Sequence, residues 1–297
     1  MPELPEVETV RRGLADMTCA QTVLGGEVLL ARTIASPDSP EAFLQALEGC
    51  QIKTWQRRGK YLLAQLQDAH GIDRGHWGVH LRMTGQLLWV KQQDPLSPHT
   101  RVRLFFPQHR ELRFVDMRTF GQMWWVPPDR SPETVIQTLA TLGPEPLGPD
   151  FSAAYLQQRL ARVQRPIKNA LLDQGIVAGI GNIYADESLF LSQIHPCTPS
   201  ATLTLDQLKR LQTAILGVLE TSLGHGGTTM RDFRNLKGLN GNYGDQAWVY
   251  RRTGEPCHRC GTTIDRLKLG GRSTHVCPKC QPPHSDPIAT TQVGGTA

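Results

Sequence analysis

Four of the seven cysteines fall in one short stretch, and their spacing constrains the fold there more than any other feature of the chain. Cys257 and Cys260 form one C-x2-C pair and Cys277 and Cys280 a second, with 16 residues between the pairs. Two residues between thiolates let a tight turn aim both sulfurs at one point. Two such turns complete a tetrahedral site in the manner of a zinc ribbon. Four sulfur ligands leave no open position, so one structural Zn2+ is expected and not a catalytic one. A disulfide framework is the competing reading, but the cytosol keeps thiols reduced. Cys19, Cys50 and Cys197 are scattered and read as small buried hydrophobes.

The chain of 297 residues is long enough for about two domains with their own cores. Its 39% apolar and 20% charged content excludes a mostly disordered or collagen-like chain. No apolar run reaches the roughly 18 to 20 residues that span a bilayer. Three acids precede the first base in Met1 to Arg12, unlike a signal or transit peptide. A cytosolic protein is therefore expected. Residues 1–150 hold 16 Lys+Arg and 17 Asp+Glu, a net of −1; residues 151–297 hold 16 and 10, a net of +6. A one-sided basic surface suits a polyanion such as DNA or RNA. From charge alone, a solvated basic face fits equally well.

An amphipathic helix is expected over 3–17, with Leu4, Val7, Val10 and Leu14 on its apolar face. Short β runs follow at 22–35, 51–55, 60–66, 78–91, 100–106, 111–115 and 122–126, the pattern of a sandwich or barrel. A short helix at 41–47 has Ser39 as its N-cap. After Pro127-Pro128 comes a helix near 134–142, then a Pro/Gly-rich hinge at 143–149. Helices are expected at 155–163, 167–174, 182–191 and 205–223, the last with a Thr204/Gln207 capping box. Trp248-Val249-Tyr250 reads as a strand. The domains expected are therefore 1–130, a β-sandwich with flanking helices; 131–150, helix and linker; 151–242, helical with a long polar loop; 243–281, the four-cysteine ribbon; and 282–297, a disordered tail.

Pro2 and Glu3 carry the chemistry of most interest. Methionine is usually removed before a small residue, which would leave Pro2 with a free secondary amine. An α-amino group has a pKa near 8, so part of it is neutral and nucleophilic at pH 7. Such an amine attacks an aldehyde-level carbon to give an iminium ion, and Glu3 and Glu6 stand near to move protons. Read alone, Pro-Glu-Leu-Pro-Glu is simply a helix start, and that reading outweighs the nucleophile.

The string 1–14, Met-Pro-Glu-Leu-Pro-Glu-Val-Glu-Thr-Val-Arg-Arg-Gly-Leu, strongly resembles the formamidopyrimidine-DNA glycosylase family, Fpg/MutM, of the wider Fpg/Nei group. The resemblance continues in order through Arg57-Arg58-Gly59-Lys60-Tyr61, His80-Leu81-Arg82-Met83-Thr84-Gly85 and Asp116-Met117-Arg118-Thr119-Phe120-Gly121. It goes on through Gly179-Ile180-Gly181-Asn182-Ile183-Tyr184-Ala185-Asp186-Glu187, Gly226-Gly227-Thr228-Thr229 and the ribbon ending in Gln281. Leu4 is more like Fpg than like the endonuclease VIII branch, which tends to have Gly there.

The resemblance implies an α+β multidomain fold: an N-terminal β-sandwich, a helix–two-turn–helix domain and a β-hairpin zinc ribbon. It implies a bifunctional glycosylase and AP lyase that removes oxidised purines from duplex DNA, cutting by β,δ-elimination. Pro2 would be the nucleophile, Glu3 the proton carrier, and Lys60 and Arg272 would hold the lesion phosphate. Met83, Arg118 and Phe120 would fill the gap left by the flipped base. Glu6, His99, Lys168, Asn182 and Arg231 would bind DNA, with Lys168 on phosphate and Arg231 in the base-capping loop, where many members have Lys. A monomer associated with the nucleoid is expected. Two other functions stay open at this point: a non-catalytic binder of damaged DNA on the same scaffold, and an endonuclease VIII-like enzyme for oxidised pyrimidines.

Overall fold

The computed structural model describes residues 1–228 and 243–283. The described chain divides into two compact units. The first comprises 1–141 with 225–228 and 243–244; the second comprises 142–224 with 245–283.

In the first unit, helix α1 (Leu4–Thr18) buries Leu4, Val7, Val10, Leu14 and Thr18 and packs against strands β3 (Gln51–Arg58) and β4 (Tyr61–Gln67). The long run expected at 22–35 is broken into strand β1 (Gly26–Val28), a 3-10 turn at Ala31–Thr33 and strand β2 (Ile34–Ser36). Helix α2 (Pro40–Leu47) begins at Ser39, whose hydroxyl accepts the Ala42 N–H at 3.2 Å. The single run expected at 78–91 is two strands, β5 (Asp73–His80) and β6 (Gln86–Lys91), which lie in different sheets. Gly85, whose N–H bonds Leu81 O, turns the chain between them, so apolar content on both flanks concealed the break. Strands β7 (Thr100–Phe106), β8 (Arg110–Val115) and β9 (Gln122–Val126) complete the set.

One sheet has the order β1-β7-β8-β6, the other β2-β9-β5-β4-β3; β2 runs parallel to β9 and every other pairing is antiparallel. β7 alternates cleanly, with Val102, Leu104 and Phe106 buried between its half-exposed neighbours. These residues share one core with Leu62, Trp77 and Val79 of the other sheet, which makes the unit a sandwich. Each such side chain contributes roughly 1.5–3 kcal/mol on burial. The helix expected near 134–142 is two single turns, α3 (Pro132–Val135) and α4 (Gln137–Ala140).

The second unit holds α5 (Ala153–Leu160), α6 (Ile167–Leu171), α7 (Asn182–Leu191) and α8 (Leu205–Gly224), followed by the hairpin β10 (Asp265–Leu269) and β11 (Arg272–Val276). Thr204 and Gln207 exchange the two bonds of a capping box at the start of α8. No helix among the described residues is long and apolar enough to cross a membrane. Trp248-Val249-Tyr250 is not a strand. Their three N–H groups go to the buried carboxylate of Glu187, at 2.7, 3.0 and 2.9 Å, and not to a neighbouring strand.

Candidate nucleic-acid interface and catalytic site

The first unit gathers the N-terminal residues. Pro2, Glu3 and Glu6 are all buried. Pro5 lies in the first turn of α1, and the Glu6 carboxylate reaches back to accept the Glu3 N–H at 2.8 Å. Its other oxygen accepts the Thr228 N–H at 2.7 Å. Gly227 makes this approach possible: its φ is +85°, and a Cβ there would lie 2.9 Å from Glu6 Oε1. The start of the Gly-rich segment thus packs within the first unit.

Lys60 lies in the two-residue turn between β3 and β4 and is only 7% exposed. Beside it, Tyr61 packs edge-on against His80, with ring centroids 4.4 Å apart. Burial, with Arg82 and Lys60 close by, pushes His80 down to about 3. His80 is therefore neutral at pH 7, and its Nδ1 accepts the Arg82 N–H at 2.9 Å. The Arg82 guanidinium donates to Gln122 Oε1 at 2.9 Å.

The three residues expected to fill the gap are presented together to solvent. Met83 and Phe120 are 41% and 51% exposed, unusual for large apolar side chains. The exposed guanidinium of Arg118 stacks over the Phe120 ring, 5.1 Å from its centroid. Met1, Arg32, Arg82, Met83, Thr119, Phe120, Gly121 and Gln122 line one open cleft of about 510 Å3. His99 is half-buried; its carbonyl accepts the Asp116 N–H at 2.9 Å, and its ring lies 3.3 Å from Arg101 Nη2.

In the second unit the four cysteine sulfurs all lie within 4.8 Å of one another. Two of the pairs, Cys257–Cys280 and Cys260–Cys277, are 4.0 and 3.5 Å apart. Sulfurs tetrahedral about zinc at the usual bond length stand roughly 3.8 Å apart, so the cage fits that ion. Four thiolates this close repel one another unless a cation sits among them. Gln281 closes the module: its side chain accepts the Cys277 N–H at 3.1 Å and donates to Ile194 O at 2.9 Å.

Arg272 is exposed at the hairpin tip, after the Gly270-Gly271 turn. Lys168 requires a correction. It was expected to hold phosphate, yet its side chain is wholly buried and its ammonium is spent internally. It pairs with Asp186 Oδ1 at 2.6 Å and donates to Ser273 O at 2.9 Å and Thr274 Oγ1 at 2.8 Å. One ion pair and two hydrogen bonds thus hold the ammonium inside the unit. Asn182, at the start of α7, also gives its amide to Ser273 O at 2.9 Å. Both side chains therefore grip the carbonyl next to Arg272. Arg231 lies outside the described residues, as does the tail from 284 onward.

Sequence reasoning passed over the acids that organise these sites. Asp186 and Glu187 are wholly buried in α7, and Asp186 also accepts the His275 N–H at 3.0 Å and sits 2.9 Å from its Nδ1. Burial pushes Glu187 up, against the three N–H groups that favour its charge. Two adjacent acids inside an apolar helix were a visible signal, since buried charges need partners. Asp116, inside a quoted motif, was passed over in the same way.

Three family models match in chain order. Residues 1–123 match the formamidopyrimidine-DNA glycosylase N-terminal domain, 142–234 its H2TH domain, and 254–283 the zinc finger found in FPG and IleRS. Formamidopyrimidine-DNA glycosylases of Synechococcus sp. and Acaryochloris marina are 64% and 60% identical over 282 residues, which is 95% of this chain and 99% of each relative. A solved complex of a Lactococcus lactis FPG mutant with Fapy-dG-containing DNA superposes with a TM-score of 0.86 at 34% identity, over 95% of this chain and 100% of that one. The same organism's Fpg on abasic-site DNA gives 0.86 at 33%, with the same coverage. With all three domains matched in order and nearly the whole length shared, the chain belongs to the formamidopyrimidine-DNA glycosylase family.

Proposed function

We propose that this protein is a bifunctional DNA glycosylase and AP lyase of base excision repair, acting on oxidised purines in duplex DNA, 8-oxoguanine and formamidopyrimidines. The observation that carries the reading is the shared cleft: Met1, at the amine end of the chain, lines the same cleft as Met83 and Phe120. A nucleophilic terminus is useful to a base-flipping enzyme only beside the residues that hold the flipped gap open.

With Met1 removed, the Pro2 nitrogen carries a lone pair free of any peptide bond. That pair forms a bond to C1′ while the glycosidic electrons leave with the damaged base, which takes up a proton. The Pro2 nitrogen gives up its N–H proton to Glu3, which passes a proton to the sugar ring oxygen as the C1′–O4′ bond breaks and the iminium forms. Loss of the C2′ proton expels the 3′ phosphate, a second elimination expels the 5′ phosphate, and water releases Pro2. Glu6 fixes the helix start and the Thr228 amide beside it. Lys60 supplies positive charge for the lesion phosphate, with Arg82 adjacent. Arg118 faces the widowed base, where its planar fork suits cytosine.

In the second unit, zinc supplies structure and no chemistry: Cys257, Cys260, Cys277 and Cys280 would hold it. The module presents Arg272, whose guanidinium suits paired bonds to phosphate. Asn182 keeps a second amide hydrogen for phosphate at the N-terminus of α7. His99 and Arg231 complete the DNA contacts. The enzyme works as a cytosolic monomer on the nucleoid, where its substrate is.

A wider range that includes oxidised pyrimidines is a second reading. It is supported by a Lactococcus lactis Fpg complex with oxidised pyrimidine-containing DNA, which superposes with a TM-score of 0.85 at 33% identity. Single-turnover rates on 8-oxoguanine and thymine glycol duplexes test both. Faster 8-oxoguanine cleavage is expected; faster thymine glycol cleavage would reverse the assignment. Binding without any cleavage would leave a non-catalytic damage binder.

A further inference from the structure

We propose that Thr84 and Asp116 are positioning residues that yoke two separate loops, so that Met83, Arg118 and Phe120 enter the duplex as one body. The proposal rests on the glycosylase reading above.

The three side chains come from different connections. Residues 81–85 link β5 to β6, and residues 116–121 link β8 to β9. Each loop crosses from one sheet of the sandwich to the other. An unstacked base step closes again on anything that does not resist it. Exposed side chains on two independently mobile loops would have to be ordered at the moment of insertion, which costs conformational entropy. A wedge held in advance avoids that cost.

The holding group is the Asp116 carboxylate, which is 1% exposed. Its Oδ1 accepts the Thr84 hydroxyl and the Arg118 N–H, and its Oδ2 accepts the Gly121 N–H at 2.7 Å. The Arg118 N–H also points at Thr84 Oγ1, 3.0 Å away. The bonds therefore bracket the Arg118-Thr119-Phe120 tip and reach the residue after Met83. Gly121 fits between the Phe114 ring and the carboxylate because it has no side chain: a Cβ there would lie 2.3 Å from Phe114 Cζ and 3.1 Å from Asp116 Oδ2.

The division of labour among these bonds is informative. The bonds from Asp116 to Arg118 and Gly121 stay within the second loop. The first loop is closed by Gly85 N–H to Leu81 O at 2.9 Å. Neither loop needs Thr84 for its own shape. Among these bonds, only those of the Thr84 hydroxyl cross between the loops. Hydrogen bonds to a buried carboxylate are the strong kind, so the crossing is a firm one.

The test compares Thr84→Val, which keeps the shape and removes the hydroxyl, with Thr84→Ser, which keeps the hydroxyl. Single-turnover excision is measured on 8-oxoguanine opposite cytosine, and strand cleavage on the same duplex with a preformed abasic site. An abasic site has no base to unstack. Thr84→Val should lose about tenfold or more on the intact lesion, the scale of one charge-assisted bond. It should stay within about twofold of the parent on the abasic duplex. Thr84→Ser should restore excision. Parental excision by Thr84→Val, equal losses on both substrates, or no rescue by serine would each overturn the proposal. Absence of cleavage by the parent on both duplexes would instead overturn the glycosylase reading.

Discussion

Glu6 joins the first turn of α1 to a residue 222 positions away: its Oε1 accepts the Thr228 N–H at 2.7 Å while its Oε2 accepts the Glu3 N–H at 2.8 Å. One carboxylate thus sets the residue next to the nucleophile and the entry to the Gly-rich segment. Glu6→Gln replaces one accepting oxygen by an NH2 group, so one buried N–H loses its partner. The expected cost is about 1–3 kcal/mol of stability, read by urea unfolding. Excision of 8-oxoguanine should fall about tenfold in the same variant, since the amine and its neighbour are less well fixed. A variant with parental stability and parental rate would contradict this arrangement.

Removing zinc should weaken DNA binding and leave the first unit folded. A zinc ion would hold the four clustered sulfurs, and Arg272 sits on the hairpin between them. A chelated sample, verified as zinc-free, should bind lesion duplex more weakly in a fluorescence anisotropy titration. Its far-ultraviolet circular dichroism should retain the sandwich signal. Unchanged affinity would count against the ribbon as a DNA contact.

Lys168→Met should destabilise the second unit more than it changes phosphate contact. It leaves Asp186 buried without its ammonium partner and removes one donor each from Ser273 O and Thr274 Oγ1. Breaking one side of a buried pair costs about 3–5 kcal/mol. Urea unfolding of the variant measures this. A stable variant whose DNA affinity has lost one phosphate's worth of salt dependence would show instead that Lys168 reaches the backbone.

His80 gives a pH signature. Burial holds it down to about 3 in the folded protein, against 6.5 when exposed. Above 6.5 both states are neutral there and the full stability is present. Between 6.5 and about 3 the unfolded chain binds the proton first, so stability falls as pH falls. The slope from this residue approaches about 1.4 kcal/mol per pH unit. His80→Asn keeps an acceptor for the Arg82 N–H and removes the titration. Unfolding free energies from pH 7 to 4 should fall more steeply for the parent than for this variant, and equal slopes would contradict a neutral buried His80.

Much of the fold was legible because local chemistry and tertiary structure agree. The apolar face of α1, the Ser39 cap, the alternation of β7 and the spacing of the cysteines each report a local rule. The failures occur where the determining partner is distant in sequence. Trp248 to Tyr250 has strand-like residues, but its N–H groups answer to Glu187, about 61 residues earlier. The run 78–91 keeps apolar residues on both sides of the Gly85 turn, so its division between two sheets was hidden in the pattern.

The site divides in the same way. Met83, Arg118, Phe120 and Arg272 present solvent-exposed side chains, as a contact with DNA requires. Lys168 does not, and the sequence hid this, because a lysine in a short helix looks the same whether it faces water or a buried aspartate 18 residues on. Asp116 and Thr84 act through bonds between loops, which no spacing rule encodes.

In the proposed reaction the Pro2 nitrogen forms the covalent bond. Borohydride reduction during reaction with an 8-oxoguanine duplex, on the parent and on Pro2→Gly carrying an uncleaved residue ahead of it, tests this most directly. The parent should give one trapped protein–DNA adduct, with the label on the N-terminal peptide by mass spectrometry. The blocked variant should bind the duplex and give none. An adduct on a lysine, or trapping by the blocked variant, would contradict the account.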